Sequence, residues 1–261
     1  MDTRSAFRKS ISEGLTSWLT FEHHCGRSGL FSERYLALPI AQLLARNTTG
    51  AVLAEHNHPV LMIEGGDGRP PQLDFILQEN DKVTLVVETK WAGTRGVSIR
   101  DVIWDCVRLE LAAHHYGCEA IFVLAGSRHQ VDQMLASAPF NPTTSRGKPS
   151  QVLGLNGFGR LSVNIQSPKW AFGKALHKRL NVYPHIAYPR SFVCGQGTQF
   201  PKESPANSYT TAVWHIQPEA TVKRFTFAVS GSIPPAPKQP SNPSLMSNVR
   251  HPSEPNPPAH R

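Results

Sequence analysis

Cysteine is scarce in this chain, with four in 261 residues, and Cys25, Cys106, Cys118 and Cys194 form no C-x-x-C pair. That spacing excludes a zinc finger and a thioredoxin-type redox pair. Cys106 and Cys118 fall near or inside apolar stretches, as reduced structural thiols do in a reducing compartment. No apolar run approaches the ~18 residues needed to span a bilayer, so no membrane partner is expected. The first twenty positions carry Arg4, Arg8, Lys9 and Glu13 and no apolar export segment, which gives a cytoplasmic expectation. Phosphate-binding loops are missing as well. Gly65-Gly66-Asp67-Gly68 matches neither G-x-G-x-x-G nor a loop closing on Gly-Lys-Ser/Thr. No internal repeat is present.

Acidic residues are depleted from one half only. Residues 1–125 hold 12 Lys and Arg against 15 Asp and Glu, whereas residues 126–230 hold 12 against 3. An acidic half joined to a basic half suits a metal-dependent enzyme acting on a polyanion. The same asymmetry also serves simple solubility.

The most informative stretch is Leu73 to Trp91. LDFILQ, a polar break at Glu79-Asn80-Asp81 and KVTLVVETKW read as two strands of a hairpin. Strand side chains alternate faces, so Glu88 and Lys90 share one. Asp74 joins them if the register has even parity, as Asp74 opposite Val86 would give, and a one-residue slip would separate them. Two carboxylates on adjacent strands suit a hard divalent cation. An ammonium beside that cation suits an attacking water and a phosphorane. A hairpin with a solvated Asp74 and a surface Glu88/Lys90 pair is the plain alternative.

An acid, a spacer and Glu-x-Lys, here Asp74 and then Glu88-Thr89-Lys90, resemble the PD-(D/E)xK nuclease superfamily. Asp74 departs from the pattern by following Pro71 at three positions instead of adjoining a proline. The resemblance implies a restriction-endonuclease-like α/β core over residues 28–126: helix, mixed central sheet, helix, strand. It implies hydrolysis of nucleic acid, with DNA the leading substrate, and Mg2+ or Mn2+ as cofactor. Asp74 and Glu88 would hold the metal, and Lys90 would serve the water. Glu33, on the first core helix, would be an accessory catalytic and metal-binding residue. Cutting both strands of a duplex would favour a homodimer. The rival reading is a non-catalytic nucleic-acid-binding or protein-interaction module on the same fold. A metal-free structural protein is a third.

The remaining chain is placed around that core. Residues 1–27 give a helix at 5–20, with Phe7, Ile11, Leu15, Trp18 and Leu19 at helical spacing, then a loop at His23-His24-Cys25. Residues 30–45 give a helix with Glu33, Leu36, Ile40 and Leu44 on one side, which Pro39 is expected to kink or split. Residues 51–64 read as a strand or bent strand pair carrying Glu55 and Glu64. Arg95 lies in a loop suited to a phosphate backbone. A helix starts at Ser98 with Asp101 as a weak capping signal. Its stripe of Asp101, Asp105 and Arg108 is read as facing water. A strand at 119–126 follows.

Residues 127–230 form a basic, strand-rich C-terminal extension of the same domain. Strands are expected at 159–166, 190–196, 208–216 and 223–229, with a helix at 170–180. On that helix Lys174, Lys178 and Arg179 are candidates for phosphate contact. Phe200, Tyr209 and Trp214 could stack bases but are read as core. Residues 231–261, with nine prolines between Pro234 and Pro258, are expected to be a disordered tail.

Overall fold

In the computed structural model the described residues are 3–61, 69–93, 97–137, 140, 152–155, 159–162, 171–218 and 223–226, with backbone alone at 3–4, 159–162 and 171–175. The N-terminal apolar spacing folds as one long helix, α1 (Thr3–His24), which fully buries Ile11, Leu15 and Leu19. It runs further than its apolar pattern suggests. His23 and His24 therefore sit in its last turn and not in a loop. After a 3-10 turn at Ser28–Leu30 comes α2 (Glu33–Arg46), capped by Ser32, whose hydroxyl accepts the Tyr35 N–H at 3.2 Å.

Pro39 neither kinks α2 into two pieces nor ends it. Proline forfeits a backbone bond inside a helix, but Pro39 is buried beside Leu36, Ile40 and Leu44. Burying those side chains, at roughly 1.5–3 kcal/mol each, outweighs the lost bond.

The sheet begins with β1 (Ala51–Asn57), antiparallel to β2 (Gln72–Glu79), which turns into β3 (Lys82–Ala92). The turn residues Asn80 and Asp81 have φ of 48° and 62°. Paired left-handed residues make the tight turn whose twist matches the flanking strands. α3 (Ile99–Tyr116) then crosses over to β4 (Glu119–Ser127), which lies parallel to β3. Gly117 at φ 64° ends α3. Ser98 precedes it without a side-chain cap, and Asp101 instead pairs with Arg179.

The basic half adds α4 (Arg128–Leu135), β5 (Gly159–Ser162), α5 (Ala171–Leu180), β6 (Tyr188–Pro189), β7 (Ser191–Cys194), β8 (Thr198–Phe200), β9 (Tyr209–Gln217) and β10 (Arg224–Phe225). The short elements α4, β6 and β8 are not anticipated by periodicity. β9 is, and it pairs antiparallel with β4. Among the described residues the main sheet runs β1-β2-β3-β4-β9-β7-β5, with β8 on β9, and β10 pairs with β6 separately. The protein is thus α/β, a mixed central sheet flanked by helices, with small extra strands.

Each sheet face carries its own core. Val86, Phe122, Leu124 and Trp214 pack against Val102, Ile103 and Cys106 of α3. Val87, Val123 and Val213 pack against Ile11 and Leu15 of α1 and Ile40 of α2. From Leu85 onward, odd-numbered residues of β3 therefore face α1 and α2, and even-numbered ones face α3. Among the described residues no helix is long and apolar enough to cross a membrane. All described elements lie in one unit, Met1–Ala228. Glu64 and the tail at 231–261 lie outside the described residues.

Candidate active site

The pairing of Phe75 with Val87 fixes the hairpin register. One step further brings Asp74 level with Glu88, two residues beyond the Val86 pairing considered from sequence but with the same parity. Directly opposed side chains have Cβ atoms about 5 Å apart. Asp74, Glu88 and Lys90 consequently share the α3 face at the C-terminal end of β3. Asp74 is held from its own hairpin, because its Oδ2 accepts both the Thr89 N–H and the Thr89 hydroxyl at 2.7 Å.

The face is closed by two side chains of α3. Asp105 is 3% exposed, and Arg108 spans it and Glu88. The Arg108 Nη2 lies 2.9 Å from Glu88 Oε1, and its Nη1 lies 3.2 Å from Asp105 Oδ1. Arg108 also donates to the Gln72 carbonyl. The stripe read as facing water is therefore divided: Asp105 and Arg108 face the site, while Asp101 meets Arg179 of α5. Buried charges require partners, and these two find theirs on β3. The available signal was an acid set directly between Trp104 and Cys106 in an otherwise apolar stretch.

Lys90 is enclosed between acids. Its Nζ is 3.0 Å from Asp105 Oδ2 and 3.3 Å from Glu33 Oε1. Glu33 reaches it from the first turn of α2. His58 supports Arg108 from outside, with its ring Nε2 3.0 Å from the Arg108 carbonyl and its Nδ1 accepting the N–H groups of Val60 and Leu61. Accepting at Nδ1 leaves Nε2 as the donor, so the ring is neutral. Burial lowers the His58 pKa to about 4, consistent with that state. Neither Thr89 nor His58 was singled out by the motif.

Electrostatically the cluster is unbalanced. Glu33, Asp74, Glu88 and Asp105 face Lys90 and Arg108, four acids against two bases. Burial pushes the Glu88 carboxyl well above its ordinary range, with Asp74 and Asp105 adding to the rise and Arg108 opposing it. Asp105 is also raised by burial, against Lys90 and Arg108. Glu33 is raised chiefly by burial as well. Burial alone would lower the Lys90 ammonium, but Asp105 and Glu33 hold it above its usual value. Glu88 Oε1 and Asp105 Oδ2 are buried at ion-pair distance from their cations yet lack a well-directed hydrogen bond.

This donor set fits a hard divalent cation. It is all oxygen, sets four acids against two bases and includes underbonded buried oxygens. Among the described residues no three His, Cys, Asp or Glu side chains converge closely enough to hold a metal ion. A cation would thus rest on Asp74, Glu88 and waters, the sparse protein ligation that magnesium tolerates. Glu33 meets Lys90 instead of standing with them as a third ligand.

No protein-family model, curated protein or solved structure matches the chain. The chemistry is therefore read from these residues alone.

The other sequence candidates scatter. Arg95 and the side chain of Lys174 lie outside the described residues. Lys178 is exposed, whereas Arg179 is engaged by Asp101. Glu55 is on the edge strand, paired with Arg69 at 2.9 Å, both exposed. Trp214 is core, fully buried against Phe122. Tyr209 and Phe200 are only partly buried.

Proposed function

We propose that the protein is a magnesium- or manganese-dependent nuclease of the PD-(D/E)xK, restriction-endonuclease-like kind, hydrolysing phosphodiester bonds of nucleic acid, with DNA the first substrate to test. The observation that carries this reading is the placement of Asp74, Glu88 and Lys90 on one sheet face, within a cluster of four acids and two bases. Asp74 and Glu88 would hold the cation. When bound, the metal supplies a Lewis acid for the scissile phosphate and lowers the pKa of its water.

The residues then divide the work. Thr89 fixes the Asp74 carboxylate. Lys90, held cationic by Asp105 and Glu33, orients the attacking water and offsets charge developing on the phosphorane. Arg108 pairs with Glu88, opposing the rise that burial imposes on its carboxyl, and anchors Asp105. Lys178 is a candidate contact for more distant phosphates. Cutting a duplex on both strands would call for a homodimer, whereas cutting one strand needs a single copy. The free cysteines, two of them buried, support a reducing cytoplasmic setting.

A second reading is favoured by one feature, the engagement of both buried acids by Arg108. On that reading the cluster is a structural pin within a non-catalytic nucleic-acid-binding module. Incubation of the purified chain with plasmid, linear duplex and single-stranded DNA, in magnesium, manganese or chelator, separates the two. Metal-dependent cleavage supports the nuclease. Metal-independent binding without cleavage supports the module.

A further inference from the structure

One face of α1 meets β8, where the Thr16 hydroxyl donates to the Phe200 carbonyl at 2.9 Å. Ser12, Thr16, Thr20 and His24 recur every fourth residue, so they form one stripe along the helix. Two grooves lie on this side and share Phe200. The first, about 820 Å3, is bordered by Arg8, Lys9, Arg128 and Lys202, with Gln196 and Gln199 on its floor and Glu13 the acid in its lining. The second, about 490 Å3, is bordered by Phe21, His24, Phe200 and Tyr209. Phe21 is 61% exposed, unusual for so large an apolar ring.

The second groove ends at Tyr209. The Tyr209 ring stacks on Trp91, centroids 6.2 Å apart and planes 26° apart, and Trp91 follows Lys90. Phe31 packs edge-on against both rings, at 5.6 Å from Trp91 and 5.1 Å from Tyr209, and lies two residues before Glu33. Residues 8–24 of α1 advance ~24 Å at the helical rise. A basic stretch thus leads into a run of partly exposed aromatic rings on the face of the sheet that carries α1 and α2.

We infer that this track binds one unpaired strand of nucleic acid, its phosphates along Lys9 and Lys202 and its bases against Phe21, Phe200 and Tyr209. The inference rests on the nuclease reading, and it makes a single strand or a frayed end the substrate class. Sequence-tolerant single-strand binding combines those two elements, a cationic groove and aromatic faces, at about 4–16 nucleotides per site. A duplex presents stacked bases that Phe21 could not reach, so the exposed ring discriminates between the two. Lys9 pairs with Glu13 at 3.7 Å, and this solvent-accessible pair exchanges readily for phosphate. Arg128 is instead held in place by Asp132 at 2.7 Å and by the carbonyls of Pro201 and Lys202, both at 2.9 Å.

The test uses the full-length chain in chelator, where no metal-dependent cleavage occurs, with a fluorescent oligothymidylate and a duplex of equal length. Anisotropy titrations compare wild type, Phe21→Ser, Phe21→Tyr and the double variant Lys9→Gln/Lys202→Gln. Phe21→Ser should weaken single-strand binding about tenfold, as loss of one stacked base does. Phe21→Tyr should retain wild-type affinity. The double variant should flatten the salt slope by about 1.4, at ~0.7 per phosphate contact on single strands. Duplex binding should be weaker throughout and insensitive to the Phe21 change. These positions are exposed, and unchanged circular dichroism confirms folding. Single-strand affinity unaffected by both changes, or equal loss on duplex, overturns the track. Wild-type chain that binds single strands through Phe21 but fails to cleave them in magnesium upholds the track while counting against the nuclease.

Discussion

Arg108 reaches from α3 to Glu88 of β3, its Nη2 2.9 Å from Glu88 Oε1, and neither side chain keeps more than a small fraction of its surface in water. Removing one member of such a pair leaves the other as an uncompensated buried charge. Arg108→Met should therefore destabilise the fold by about 3–5 kcal/mol. Combining it with Glu88→Gln should recover part of that loss, because no buried carboxylate is then left without its cation. Urea denaturation of the two single variants and the double variant measures the coupling. Additive effects would show that the pair does not act as a unit.

The pH dependence of stability gives a separate expectation from Glu110, whose Oε1 accepts from Arg224 at 2.7 Å. Burial raises its pKa to about 7, with Arg224 opposing the rise. A carboxyl with a raised folded pKa binds its proton more tightly when folded. Its favourable contribution is therefore complete below the unfolded value near 4.5 and is lost as pH rises toward 7. His58 acts in the opposite sense, since its lowered pKa costs stability as pH falls from about 6.5 toward 4. Glu110→Gln isolates the first effect. The wild-type chain should lose stability relative to this variant between pH 4.5 and 7, by a few kcal/mol on the scale of 1.36 per unit. A constant difference across that range would contradict the assignment.

Cation binding should stabilise the fold by linkage. Magnesium or manganese at a hundred times its dissociation constant should add about 2.7 kcal/mol, read as a rise in melting temperature. The rise should vanish in Glu88→Gln. It should persist in Arg179→Gln, whose ion pair is with Asp101 and not with a member of the cluster. A rise that survives Glu88→Gln would place the cation elsewhere.

Deletion of residues 232–261 tests the reading of the C-terminal segment. A proline-rich segment of low apolar content cannot support a core, so the melting temperature should stay nearly unchanged. A large drop would show that the segment docks on the folded unit.

Much of this architecture was legible because it depends on local periodicity. The hairpin is marked by a β-branched run and a polar turn, and the shared face of Glu88 and Lys90 follows from strand alternation alone. The register was less legible. Extended from the Glu79–Lys82 and Gln78–Val83 pairs, the register at the turn would set Asp74 opposite Val87 and on the other face, and only the irregularity at Leu77 and Gln78 moves it by one residue to Glu88. Asp105 and Arg108 were misread because a charged stripe on a helix usually faces water. Only tertiary packing brings Lys90 and Glu88 within reach of them. Pro39 was misjudged for a related reason: backbone preference argues for a break, and burial against the sheet overrides it. The two-residue strand β6 carries too few residues for any period to show, whereas β10 falls within the strand expected at 223–229.

The central claim is that the hairpin acids and Lys90 form a hydrolytic site, and paired substitutions test it most directly. Single-turnover cleavage of single-stranded and duplex DNA in magnesium is measured for wild type, Glu88→Gln and Lys90→Met, with DNA binding followed in chelator. Glu88→Gln should lose both cation binding and cleavage. Lys90→Met should keep the cation and lose cleavage, in each case by a factor on the order of a hundred or more, while DNA affinity is retained in both. Wild-type chain that cleaves, with both variants cleaving at its rate, would contradict the account and move the active site away from Asp74, Glu88 and Lys90.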